Sequence, residues 1–235
     1  MGSHLKIAKI EKRWAFECIN RNVIWKFDYM KAASEQPHAI LTSEDHSDGF
    51  IMCKIILGDS TLRREAAADL VEIYMLSGYS IDDIDVVAGP GTGATKLARS
   101  VAEEIARRRR KSCGWISPRK VTRRGVETMQ LTSFAKRLIP GKRILVVDDA
   151  FTRGSTLCLM SAALLPLEAI VLPEVLVFAN RSAITKINDK VIMSLIREHM
   201  AVWSPDSCTL CEEESVAMSP KRPAENMKIF FPESA

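Results

Sequence analysis

The sequence predicts an α/β fold, a mostly parallel twisted sheet with helices on both faces. Three observations predict it. Stretches at residues 85–89, 144–147 and 171–179 are apolar almost throughout, without polar alternation, and read as strands buried on both faces. Stretches of helical period alternate with them, as at residues 60–76 and after Gly93. Two glycine-bearing turns, GPGTGA and FTRGST, each join such a strand to such a helix.

Composition bounds the answer. The chain has 235 residues, 47% of them hydrophobic, enough for one substantial domain with appendages. The net charge of +4 is mild and concentrated rather than spread, which does not point to nucleic acid. No apolar run approaches the length of a membrane span, and the opening MGSHLKIAKI lacks a secretory apolar region. The six cysteines are scattered apart from Cys208 and Cys211 and suggest no disulfide framework, so a reducing, cytoplasmic setting is expected. Residues 1–4 read as a tag remnant. The expected division is N-terminal helices and a hairpin over 5–59, a core over 60–203 and a C-terminal segment over 204–235.

Taken in order, residues 5–33 carry Ile7, Ile10, Trp14, Phe16, Ile19, Val23 and Ile24 at mixed helical spacing, which predicts one or two helices before Pro37. Residues 39–42 and 50–53 read as two strands around a polar turn at 44–49. His38 and His46 are expected as surface or turn residues, with no metal there. Residues 60–76 form a helix presenting Leu62, Ala66, Leu70, Ile73 and Tyr74, with Gly78 as its stop. A strand at 85–89 runs into the glycine turn 89–94 and a helix to about Arg110. The basic run 107–111 complements that helix's C-terminal dipole, and no aromatic residues interleave it, so nucleic-acid contact is disfavoured.

Residues 113–116 read as a strand. RKVTRRGVETMQ follows without a clear period, as expected of a mobile basic loop that meets an anion. The strand 144–147 ends in Asp148 and Asp149, and a helix runs from Thr156 to about Leu165. The strand 171–179 ends in Asn180-Arg181, residues 188–199 are expected to be helical, and 201–203 make a last short strand. From Ser204 the composition turns polar and predicts a loosely packed tail.

Ligands of parallel sheets bind outside the carboxyl ends of the strands. Both glycine turns, the acid pair, the basic loop and Arg181 would gather on that edge. Unpaired N–H groups at a helix start suit a phosphate. The acids suit sugar hydroxyls or a metal-bound polyanion. The plainer alternative makes Asp and Thr turn and cap residues. Asp-Asp straight after Ile-Leu-Val-Val, followed by Thr152-x-Gly154-x-Thr156, favours the ligand site. A ligand with phosphates at both ends and a sugar between them fits the layout.

ILVVDDAFTRGST resembles the phosphoribosyl-diphosphate signature of type I phosphoribosyltransferases, with Arg153 in place of a small or hydroxyl residue. HAILTSEDHSDGF is similar to the hood segment of the orotate branch. Ser43, Ser47 and Phe50 match it, and Thr42 stands where that branch carries a base-contacting lysine. GPGTGATKLA is similar to the pyrophosphate turn. SPRKVTRRG is similar to the flexible catalytic loop, one residue shorter, with Arg123 for its second lysine and no histidine. Arg181 after VLVFAN matches an arginine near the base, and WSPDSCTLC resembles the ending of orotate-transferase-like proteins.

The resemblance implies the type I phosphoribosyltransferase fold with a small hood built from N- and C-terminal segments. It implies transfer of ribose 5-phosphate from phosphoribosyl diphosphate to a nitrogenous base, an orotate-like pyrimidine being favoured, with release of pyrophosphate. Magnesium would arrive with the substrate, and a homodimer would supply the loop from the neighbouring subunit. By resemblance, Asp148, Asp149, Lys120 and Arg123 are catalytic. Thr152, Arg153, Gly154, Ser155 and Thr156 hold the 5-phosphate, and Gly91, Thr92, Gly93 and Arg119 the pyrophosphate. Thr42, Ser43, Phe50 and Arg181 face the base. The rival is a regulatory protein that binds the same donor without transferase activity. A Rossmann enzyme is disfavoured, because no glycine fingerprint is followed by an acid about 20 residues on. Cys208-x-x-Cys211 is half of a tetrahedral zinc site. With no second pair nearby and His199 as the one further candidate, an incidental pair is expected ahead of zinc.

Overall fold

The computed structural model describes residues 2–232. At its centre is a six-stranded sheet in the order Lys186–Ile187, Lys190–Arg197, Ile170–Asn180, Arg143–Phe151, Val86–Ala88, Gly114–Ile116. Every neighbouring pair is parallel except the first.

Strand periodicity of two explains the layers. In Arg143–Phe151, Leu145 and Val147 face one side and join Trp14, Leu70 and Leu97 from the helices Gly2–Asn20, Ser60–Leu76 and Gly91–Arg109. Ile144 and Val146 face the other side and meet Ala135, Leu157 and Met160 from Ser133–Leu138 and Ser155–Leu164. Both faces are therefore covered, and the central strands are apolar throughout for that reason. Trp14 anchors the N-terminal helix. It is 1% exposed, stands edge-on to Phe178 at 5.6 Å, and its indole Nε1 donates to Asp69 Oδ2 at 2.7 Å.

A second, four-stranded sheet forms the hood, in the order Val202–Trp203, His46–Ser47, His38–Ile40, Ala217–Met218. The two arms expected to pair with each other do not. His38–Ile40 pairs with His46–Ser47, and Gly49–Ile51 pairs instead with Ile24–Lys26. The N-terminal region thus adds a strand after its helix, and a short helix, Cys53–Gly58, precedes Ser60–Leu76.

Three further expectations are corrected. Residues 188–199 are not helical. Lys190–Arg197 is a strand beside Ile170–Asn180, reached by a tight Asn188-Asp189 turn with Asn188 at φ 52°. Its short apolar run had no decisive period, and burial on both sheet faces decided it. The basic stretch after Pro118 is not irregular either. Arg119–Arg123 and Val126–Gln130 form an antiparallel ribbon closed by Arg124-Gly125, both at positive φ, as a two-residue hairpin requires. The C-terminal segment packs rather than trailing. Cys208, Leu210, Phe230 and Phe231 are at most 1% exposed, and Phe230 meets Trp25 edge-on at 4.6 Å.

Candidate functional site

The strand Arg143–Phe151 carries its hydrogen bonding past the acids, so Asp148 and Asp149 emerge at the carboxyl end of the sheet. They open into a cleft of about 1050 Å³ between sheet and hood. Burial, and then the negative charge of Asp149, push the Asp148 carboxyl well above the usual carboxylate range. Its Oδ1 accepts from the Asp149 N–H at 2.9 Å, and Asp149 Oδ1 accepts from the Ala150 N–H at 3.0 Å. Among the described residues no cation pairs with either carboxylate. Two hard oxygen donors without a neutralising partner, beside open cleft volume, fit a magnesium ion that keeps most of its waters.

Two glycine turns flank the acids. Gly93 approaches Asp149 so closely that a Cβ there would lie 2.3 Å from Asp149 Oδ2, which explains why this position carries no side chain. Thr95 Oγ1 donates to the Gly89 carbonyl at 3.1 Å and closes the first turn. Gly154, at φ 82°, opens the helix Ser155–Leu164 and leaves the N–H groups of its first turn facing the cleft end.

Most residues expected in a site are brought together. Thr42, Ser43, Phe50, Gly91, Thr92, Gly93, Lys120, Asp148, Asp149, Thr152, Arg153, Gly154, Ser155, Thr156 and Arg181 all line the cleft. Arg119 and Arg123 do not. Alternate residues of a ribbon face opposite sides, so Lys120 faces the cleft while Arg123 lines a separate, shallow depression with Val121 and Lys136. Lys120 Nζ pairs with Glu127 at 2.7 Å.

Arg153 does not lie free in the phosphate loop. It donates to Asp45 Oδ2 at 3.3 Å and to the Val202 carbonyl at 2.9 Å, tying the loop to the hood. Ser43 Oγ donates to the same Asp45 carboxylate at 2.9 Å. Arg181 is 5% exposed, and burial lowers its pKa. It donates to the Gly49 carbonyl at 2.7 Å and to Ser47 Oγ at 3.0 Å, with its guanidinium 5.9 Å from the Phe50 ring centre. Lys221 brings a second cation to Phe50, at 5.4 Å. Lys54, Lys96 and Lys221 line the cleft and were missed by sequence reasoning. Lys96 could have been found, since it stands in the first turns of the helix after the glycine turn. Lys221 carries no sequence signal, because only folding of the C-terminal segment brings it to the cleft.

His38 and His46 contradict their expected place at the surface. Both are buried, at 0% and 8% exposure, and they meet Cys208 and Cys211. His199 is exposed and takes no part in that group.

A family model of the phosphoribosyl transferase domain matches residues 62–210. No curated protein matches the chain. Among solved structures, an orotate phosphoribosyltransferase from Mycobacterium tuberculosis aligns at 14% identity and a TM-score of 0.51, covering 82% of this chain and 96% of that one. An adenine phosphoribosyltransferase from Thermoanaerobacter pseudethanolicus aligns at 18% identity and a TM-score of 0.50, covering 63% and 88%. At these identities both are likenesses of fold.

Proposed function

Because the chain belongs to the phosphoribosyl transferase domain family, we propose that it moves ribose 5-phosphate from phosphoribosyl diphosphate to a nitrogenous base and releases pyrophosphate. An orotate-like pyrimidine is the favoured acceptor. The observation that carries this reading is the convergence of Asp148-Asp149, both glycine turns and Arg181 on one cleft.

The first-turn N–H groups after Gly154, with the Thr152 and Thr156 hydroxyls, are suited to the terminal 5-phosphate. The open backbone at Gly91, Thr92 and Gly93 is suited to the pyrophosphate. Displacement at ribose C1 builds positive charge on the sugar. Asp149 supplies complementary charge beside its hydroxyls, and Asp148 would add to it on giving up its proton to solvent when donor and magnesium bind. Bound with the donor, magnesium would neutralise diphosphate charge and retain most of its waters. Lys120 would close over the leaving group and exclude water, a role that its position in the cleft lining supports. Lys120 lines the cleft of its own chain, so this role does not require the neighbouring subunit that the resemblance implies. Two cations at Phe50, Arg181 and Lys221, favour a base that carries negative charge, which supports an orotate-like acceptor over adenine.

The test is pyrophosphate release with the donor, magnesium and a panel of bases. Asp149→Asn should abolish turnover, and unchanged activity would sink the assignment of the acid pair. The contacts of Arg153 with Asp45 and Val202 favour a second reading, a regulatory protein that binds the donor without turning it over. Donor binding by calorimetry together with silence across the base panel selects that reading.

A further inference from the structure

Four side chains that the transferase reading does not use meet within the hood. His38 and His46 come from adjacent hood strands, and Cys208 and Cys211 from the start of the C-terminal segment. One ligand atom from each lies within 4.8 Å of all the others. His38 Nε2 stands 3.1 Å from His46 Nδ1, 3.5 Å from Cys208 Sγ and 3.5 Å from Cys211 Sγ, and His46 Nδ1 stands 3.3 Å from Cys211 Sγ. Tetrahedral zinc, with Zn–N of about 2.0–2.1 Å and Zn–S of about 2.3 Å, requires N···N edges of about 3.3 Å and N···S edges of about 3.5 Å. Four of the six edges match that tetrahedron to within a few tenths of an ångström, and the other two lie within 4.8 Å.

Hydrogen bonding alone leaves the group unsatisfied. Ser215 Oγ donates to the Gln36 carbonyl at 2.8 Å, so its contact with His38 Nδ1 at 2.9 Å must be accepted from that nitrogen. His38 therefore carries its proton on Nδ1, and Nε2 presents a bare lone pair. That lone pair can accept one proton, yet it faces an imidazole nitrogen and two sulfurs at bonding range. One cation at the centre satisfies all four atoms, and the Ser215 contact is the outer hydrogen bond that orients a ligating histidine.

We propose that His38, His46, Cys208 and Cys211 bind one zinc ion in a closed structural site. Two imidazoles and two thiolates in tetrahedral array suit zinc over magnesium or calcium. Binding forms two Zn–N and two Zn–S bonds and releases the two thiol protons to solvent. The hood strands span only two or three residues each, and Phe27, Cys208 and Leu210 make a small apolar cluster beside them. The metal compensates for that small core and staples the hood to the segment that delivers Lys221 to the cleft.

The test is metal analysis of the purified full chain under reducing conditions, with one zinc per chain expected. Chelated protein reloaded with cobalt(II) should show tetrahedral d–d bands and thiolate-to-cobalt charge transfer. Cys208→Ser should lose the metal, while Cys158→Ser, at an exposed cysteine outside the group, should keep it. Because loss of a ligand can also unfold the hood, His46→Cys serves as a second variant and should retain zinc where His46→Ala does not. Absence of zinc together with no cobalt uptake overturns the proposal. So does zinc retained by Cys208→Ser, or a Cys208–Cys211 disulfide found by mass spectrometry in the reduced preparation.

Discussion

Gly93 is placed where only hydrogen fits, because a Cβ would lie 2.3 Å from Asp149 Oδ2. Gly93→Ala must displace either the carboxylate or the helix start. It is expected to fold normally and lose at least about tenfold in donor affinity, about 1.4 kcal/mol, measured by calorimetry. An unchanged affinity would show that Asp149 does not hold the donor. Asp148 makes a pH prediction. Burial and Asp149 raise its folded pKa, so it keeps a proton where the unfolded carboxyl, with a pKa of about 3.9, has lost it. The stability it contributes is complete below the unfolded value and is lost as pH rises through the folded one. Asp148→Asn, neutral throughout, should flatten that fall and melt higher than the parent chain at neutral pH without ligand. Superimposed melting curves across pH would refute the raised carboxyl.

At the level of elements, the ribbon separates residues that lie close in sequence. Arg119–Arg123 alternates its faces, so Lys120 reaches the cleft and Arg123 does not. Lys120→Ala should lower kcat by about 10²–10³-fold, as expected for loss of one group that stabilises the transition state. Arg123→Ala should cost less than about tenfold. Equal losses in the two variants would mean that the ribbon rearranges over the bound donor. Only Gly125 and the β-branched Val121, Thr122, Val126 and Thr128 hinted at the hairpin. Arg124 in place of the usual Asn or Asp at the first turn position, and the basic character of the stretch, masked it. Lys190–Arg197 was less readable. An apolar run of that length is shared by buried strands and buried helices, and its neighbour Ile170–Asn180 decided between them.

For the whole molecule, donor binding across sheet and hood should register as global stability. Phosphoribosyl diphosphate with magnesium at a hundredfold its Kd adds about 2.7 kcal/mol to the folded state. For a chain of this size that raises Tm by about 5–10 °C. No shift at saturating donor would refute the donor site. The parallel sheet with helices on both faces was legible in the sequence because local periodicity fixes strand faces, and the stretch from Asp148 to Thr156 because a turn motif keeps its atoms together within a few residues. The type I phosphoribosyltransferase fold followed from the resemblance that motif carries. Tertiary structure decided what depends on distant segments. It placed Lys221 at Phe50, turned Arg123 away from Lys120, bound Arg153 to Asp45, and joined His38 and His46 to cysteines at 208 and 211. Those contacts span up to 173 residues. Sequence spacing carries no distance information across such a gap until both segments pack on the same sheet.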